Sequence, residues 1–314
     1  MKYGFGVDLG GTTVKIAYFD DTGKMLEKWE IPTDRTDNGK NILPDIAASV
    51  KDYIARCYVN PTNIVGIGIG VPGAILPDGT VNKCINLGWG VFNIEKALSS
   101  LTGYPVKSGN DATVAAMGEC WKGGGQGCEN MVFATLGTGV GGGIVVGGKV
   151  IHGTHGAGGE IGHLVLNRNE TEVCGCGKRG CVEQYCSATG IVRLAKKHLA
   201  AVETPSPLRN LENLTCKDVF DAGAAGDAVA LEILEQVYSY LGEFLANVCC
   251  VTDPEVIVLG GGVSKAGQPL IDGVRRYYQK LVFHAAKDTR IELASLGNDA
   301  GAYGAFKLVL DTFS

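Results

Sequence analysis

The stretch FGVDLGGTTVK, residues 5–15, carries two structural signals in eleven positions. Tyr3, Phe5 and Val7 alternate with Gly4, Gly6 and Asp8, the period of a strand in spite of its glycines. A second strand is expected over Val14–Phe19, so Asp8–Lys15 is a glycine turn between two strands. Gly10 and Gly11 let backbone N–H groups point into one concavity, and Thr12 and Thr13 add hydroxyl donors. Asp8, at the strand end, is placed to hold a hydrated Mg²⁺ ion, and Lys15 either approaches a phosphate or faces solvent. An ordinary glycine turn is the competing reading of the same residues.

Working outward, the plan recurs. FATLGTGVGGG, residues 133–143, again runs strand, Gly/Thr turn, strand. This echo predicts two halves of similar build, with the Thr138 turn in the second half answering the Gly10–Gly11 turn in the first. A third glycine turn, LGGG at 259–262, brings Gly261 and Gly262 to the end of another strand. Three such turns suit a polyphosphate approached from different sides. Two other hits, GIGVPG at 68–73 and GTGVGG at 137–142, match the dinucleotide fingerprint only as strings. Pro72 removes a backbone donor from the first, and the second runs into a strand where a helix is required. No G-x-x-x-x-G-K-[ST] is present.

The remaining pattern alternates strands and helices. A strand is expected at Lys24–Ile31 and another at Ile64–Gly73. Helices are expected over 42–57, from Asn93 through Leu101, and from Asp111 to about Cys120. In the second half the spacing predicts a strand over GGGIVVGGKVI, long helices over 182–199 and 227–250, a strand at EVIVLGGG, a helix over 269–283, a strand over 290–294 and a helix over 299–311. This is a two-domain α/β chain. We place the domains at 1–118, at 119–298 with the cysteine loop, and at 299–314 for a final helix packing back on the first domain.

Composition excludes some classes. The 314 residues carry a net charge of −5 with no basic block, which argues against nucleic acid or an anionic membrane as partner. No run of about 20 apolar residues is present to span a bilayer, and the first residues lack the pattern of a signal peptide. Eleven cysteines, without an export signal, read as thiols in a reducing, cytoplasmic setting.

Two clusters carry chemistry. Asn110–Asp111 falls at a loop-to-helix junction, where Asp111 is either an N-cap or a rigidly held carboxylate facing a cleft. The second role suits a general base for phosphoryl transfer to a hydroxyl. The other cluster lies in GGEIGHLVLNRNETEVCGCGKRGCVEQ, residues 158–184. Cys174, Cys176 and Cys181, with His163 upstream, make a tetrahedral set suited to Zn²⁺. Free thiols and a redox pair are the alternatives, although C-x-C is strained as a disulfide. Four protein ligands leave no open position, so such a zinc is structural. His152 and His155 read as loop residues and Cys186 as a buried residue of the following helix.

Taken together, DLGGTTVK, GIGVPG, NLGW, NDA, LGTGVGGG, GAGGEIGH, CGCGKRGC followed by VEQYCSATG, and LGGGVS resemble the bacterial ROK family of sugar kinases and repressors over nearly the whole chain, and its glucokinases in particular. The resemblance implies a ribonuclease H-like, actin-like ATPase fold of two α/β domains with a cleft. ATP phosphates would lie near Gly10, Gly11, Thr12 and the Thr138 turn, with Gly261 and Gly262 toward the nucleoside. Asp111 would take the proton of the sugar 6-hydroxyl. Asn110, Glu160, His163 and Glu183 would hold the sugar, helped by Gly73 and Asn86, so that His163 serves both zinc and sugar. The implied reaction is ATP-dependent formation of glucose 6-phosphate. Alternatives are kinases for N-acetylglucosamine, mannose, allose or fructose, or a non-catalytic sugar-binding regulator. A homodimer or higher homo-oligomer is also implied. The chain departs from the family pattern at Thr113, where Asn is frequent, and at Gly158, where Ala is usual. Repressor members carry a helix-turn-helix before the kinase-like part, and only seven residues precede DLGG here.

Overall fold

The computed structural model describes residues 2–313. Its strands and α-helices, in chain order, are β1 (Tyr3–Leu9), β2 (Thr13–Asp20), β3 (Met25–Pro32), α1 (Ile42–Arg56), β4 (Ile64–Val71), β5 (Thr80–Cys84), β6 (Trp89–Asn93), α2 (Ile94–Thr102), β7 (Val106–Asn110) and α3 (Asp111–Lys122). There follow β8 (Met131–Leu136), β9 (Val140–Val146), β10 (Lys149–Val150), α4 (Glu183–Cys186), α5 (Ala188–Ala201), α6 (Cys216–Ala224), α7 (Ala228–Thr252), β11 (Val256–Gly260), α8 (Gln268–Leu281), β12 (Arg290–Leu293) and α9 (Ala300–Phe313). The chain divides into two compact units: 1–129 with 143–159 and 295–314, and 130–142 with 160–294.

In the first unit the sheet order is β3-β2-β1-β4-β7, with β1, β4 and β7 parallel and β2 and β3 antiparallel additions. The alternation in β1 now has a physical reason. Phe5 and Val7 face a core shared with Ile46, Val50 and Tyr53 of α1 and Leu98 of α2. Gly4 and Gly6 face α9. A Cβ on Gly6 would stand 2.0 Å from the Ala302 carbonyl oxygen, and one on Gly68 of β4 only 1.8 Å from that of Ala305. The glycines are a track that lets a helix backbone lie directly on the sheet. Phe306 of α9 stacks on Phe19 of β2, 5.1 Å between ring centroids. The helix α9 also packs against α3, where a Cβ on Gly304 would meet the Val114 carbonyl oxygen at 1.7 Å.

In the second unit β8 and β11 are parallel and β12 extends them; α8 contacts β12 and packs on α7, which α5 and α6 also contact. Most of α7 is apolar and its buried side includes Val237, Leu241, Phe244 and Leu245.

Two expectations need correction. The strand expected over GGGIVVGGKVI is split, because Gly147 and Gly148 take φ of 57° and 72° and turn β9 back on β10. The helix expected over 182–199 is broken at Ser187, whose extended backbone ends α4. The Ser187 hydroxyl then caps α5 by accepting from the Gly190 N–H at 2.9 Å. The hairpin β5–β6 and the helix α6 were not foreseen at all: β5 alternates too few apolar residues to stand out, and α6 is signalled mainly by the Thr215–Asp218 capping box.

Candidate functional site

In the first unit the C-terminal ends of β1, β4 and β7 share one edge, the edge at which open α/β sheets bind ligands. Asp8 pairs in register with Gly70 of β4 and, across the hairpin, with Lys15 of β2. Being directly opposite, Asp8 and Lys15 point to the same face, and Lys15 Nζ stands 3.6 Å from the Asp8 carboxylate. Burial raises the pKa of Asp8, and the Lys15 ammonium works against that shift. A Cβ on Gly301, at the start of α9, would come within 2.7 Å of the Asp8 carboxyl carbon, so this helix also approaches through a glycine. The turn is tight: the Gly10 N–H donates to the Thr13 carbonyl at 3.0 Å, and the Thr33 hydroxyl donates to the Gly10 carbonyl at 2.8 Å. Nothing lies within 4 Å of the position a Gly11 Cβ would take, so that face of the turn is open.

At the end of β7, Asn110 rather than Asp111 is the N-cap of α3. Its Oδ1 accepts from the Thr113 N–H at 3.1 Å, and its Nδ2 donates to the Gly73 carbonyl at 3.1 Å. Gly73 has φ of 103°, a conformation that favours glycine. Asp111 is thereby the first helical residue, and its Oδ1 accepts from the Ala112 N–H at 2.8 Å. A carboxylate in the first turn is also favoured by the helix dipole. Asn86 is exposed in the short turn after β5. The neighbouring Cys84 thiol is pushed up by burial, pulled down by the Leu87 and Asn86 N–H groups, and pushed up again by the Asp111 charge.

In the second unit Thr138 and the Gly261–Gly262 turn lie at one edge, because β8 and β11 run parallel with Thr135 opposite Gly260. Gly261 has φ of 82°, and a Cβ there would stand 2.6 Å from the Leu136 backbone. The Thr138 turn is fastened to the start of α5. Thr189 donates its hydroxyl to the Thr138 carbonyl at 2.7 Å, and the Ala188 N–H donates to the Gly137 carbonyl at 2.8 Å. Glu183 Oε2 accepts from the Val140 N–H at 3.0 Å, and a Cβ on Gly139 would fall 2.2 Å from the same oxygen. Its other oxygen, Oε1, is 3.7 Å from the Cys174 sulfur. Glu183 thus touches both the turn and the cysteine cluster, while Thr189 was not foreseen.

The cluster itself assembles as its spacing suggested. One ligand atom from each of His163, Cys174, Cys176 and Cys181 lies within 4.8 Å of every other. Cys174 Sγ is 3.8 Å from His163 Nδ1, and Cys176 Sγ is 3.6 Å from Cys181 Sγ. Tetrahedral Zn²⁺ with Zn–S bonds of about 2.3 Å requires S···S separations of roughly 3.8 Å, so the donor set fits a four-coordinate ion. The second ring nitrogen, His163 Nε2, faces Glu160, 3.9 Å from its Oε2. Burial pushes the Cys181 thiol up to about 12 and raises Cys174 as well. Cys176 is lowered: burial opposes ionisation there, but the Lys178 N–H and the two neighbouring thiols outweigh it.

A family model described as the ROK family matches residues 4–312. A glucokinase of Halalkalibacterium halodurans is 41% identical over 309 residues, which span 97% of this chain and 94% of that protein. The crystal structure of a ROK family glucokinase from Streptomyces griseus in complex with glucose and AMPPNP superposes with a TM-score of 0.77 at 31% identity, covering 98% of each chain. That of a ROK hexokinase from Thermus thermophilus gives 0.81 at 31% identity over 96% of each.

Proposed function

Because this chain belongs to the ROK family, with the ribonuclease H-like, actin-like ATPase fold of its kinases, we propose that it is an ATP-dependent glucokinase forming glucose 6-phosphate. The observation that carries this reading is the 41% identity with a glucokinase along nearly the whole chain.

Asp111 accepts the proton of the glucose 6-hydroxyl as that oxygen attacks the γ-phosphorus, and ADP leaves. Its place at the first position of α3 holds the carboxylate rigidly, and the cap that would compete for it is already made by Asn110. Asn110, Gly73, Asn86, Glu160, His163 and Glu183 are the residues assigned to the sugar hydroxyls. Gly10, Gly11 and Thr12 and the Thr138 turn offer donors to the phosphates, Lys15 adds a positive charge, and Gly261 and Gly262 lie against the nucleoside. Asp8 suits hydrated Mg²⁺, because it is a carboxylate in a confined, partly buried position beside the open turn. Mg²⁺ bound with ATP would neutralise charge developing on the phosphates. His163, Cys174, Cys176 and Cys181 would hold Zn²⁺ with four protein ligands, which would leave the ion a structural role in fixing the segments that carry Glu160, His163 and Glu183. The reading includes a cytoplasmic setting and a homodimer or higher homo-oligomer.

Among the described residues no helix is long and apolar enough to cross a membrane. The deciding experiment is an ADP-release assay over a panel of hexoses with ATP and Mg²⁺. Glucose should give the highest kcat/KM. No turnover with any hexose would reject the kinase reading, and preference for N-acetylglucosamine, mannose, allose or fructose would replace only the substrate.

A further inference from the structure

The four metal donors sit on a loop with little regular structure. Between Leu164 and Val182 the described backbone makes two isolated bridges, Val165 with Cys181 and Val173 with Arg179. Three cysteines that bind as thiolates repel one another, so the loop needs an outside brace to present them together. Gln184, buried at 9% exposure, occupies that position between the two arms of the loop. Its Oε1 accepts from the Gly180 N–H at 2.8 Å and from the Cys181 N–H at 3.2 Å, on the returning arm. Its Nε2 donates to the Glu172 carbonyl at 3.0 Å, on the outgoing arm two residues before Cys174. The opposite amide orientation would set NH₂ against two N–H donors, so the network fixes this one.

A second layer holds the brace. Arg193 of α5 donates from Nη1 to the main-chain carbonyl of Gln184 at 3.0 Å and from Nε to the Glu172 carboxylate at 2.8 Å. Its Nη2 donates to Glu170, which also accepts from the Tyr185 hydroxyl at 2.7 Å. The guanidinium lies 5.5 Å from the centre of the Tyr185 ring. The contacts to Glu170 and Glu172 tie the loop to α4 and α5, those to Gln184 and Tyr185 join the two helices, and none of them uses a metal ligand's side chain.

We infer that Gln184 is the positioning residue of this metal centre: its carboxamide ties the two ligand-bearing arms so that Cys174 and Cys181 are presented together before the ion binds. The inference rests on reading the four donors as a zinc centre. Outer contacts of this kind commonly change metal affinity by about 10–100-fold.

The test uses the full chain, zinc alone as probe, and two variants. Gln184→Met keeps the length of the side chain and loses all three hydrogen bonds. Gln184→Glu keeps an acceptor for Gly180 and Cys181 and loses the donor to Glu172. Chelator competition should show zinc bound about 10–100-fold more weakly by Gln184→Met, with Gln184→Glu between it and the parent. The gap between metal-loaded and metal-free melting temperatures should shrink in the same order, because ligand stabilisation follows affinity. Unchanged zinc affinity in Gln184→Met overturns the inference, as does a parallel fall of both melting temperatures at unchanged affinity, which marks a purely structural role. Should Gln184→Met fail to fold, Gln184→Glu decides, with parental zinc affinity overturning the inference. A parent chain that binds no zinc would instead sink the zinc reading itself.

Discussion

The sequence leaves Asp111 either as the N-cap of α3 or as a carboxylate facing a cleft, and the structure gives the cap to Asn110. Asn110 caps α3 through the Thr113 N–H, which frees Asp111 from that structural duty. Replacing the carboxylate with an amide should therefore leave the helix start intact. Asp111→Asn is expected to keep parental folding and sugar binding while kcat falls by about 10²–10⁴-fold, the usual worth of a positioned base. Calorimetric glucose titration beside the ADP-release assay checks both halves; near-parental kcat would reject Asp111 as the base. Lys15 shows where residue-level reading stops. Its number places it inside a strand, but only the register opposite Asp8 settles that it shares a face with that carboxylate. Sequence supplied the residue types of the metal set and their spacing. It gave no sign that Glu183 would also meet the Val140 N–H, because that contact joins residues 43 positions apart.

At the scale of elements, the strands β1, β2 and β4 and the helices α1, α3 and α7 were legible because each carries a long apolar period. The hairpin β5–β6 was not, since two five-residue strands with exposed Asn82, Gly90 and Val91 give too short a pattern. The break between α4 and α5 was hidden for a different reason: the apolar period continues across Ser187, and only its cap reveals the stop. The network behind this break makes a pH prediction. Burial works against ionisation of Glu170, yet the Arg193 and Tyr185 hydrogen bonds prevail and hold its carboxyl at about 2. A carboxyl with a pKa below its unfolded value, about 4.3, contributes stability above that value. The contribution should be lost as pH falls from there toward 2. Arg193→Met should flatten this part of the profile, measured as melting temperature from pH 6 to 2.5. A profile unchanged by the substitution would remove Glu170 as its source.

Over the whole molecule, the first unit is assembled from three separated pieces of chain, 1–129, 143–159 and 295–314, and α9 completes its core. Phe306, Leu308 and Val309 are all buried in that helix. At roughly 1.5–3 kcal/mol for each large apolar side chain, these three alone contribute on the order of 5–9 kcal/mol, comparable with the whole stability of an ordinary domain. A chain ending at Asp299 is therefore expected to lose cooperative unfolding of the first unit, read by near-UV circular dichroism and limited proteolysis. Retention of a native-like first unit would show that the glycine track on β1 and β4 does not need its helix.

The same arrangement sets an order of events during synthesis. All residues of the second unit, through Ala294, leave the ribosome before the last piece of the first. The middle of the polypeptide is thus exposed for folding ahead of the last piece, while the N-terminal sheet, although made first, waits with Gly6 and Gly68 uncovered until α9 emerges. During that interval the bare sheet face is open to chaperones and to aggregation.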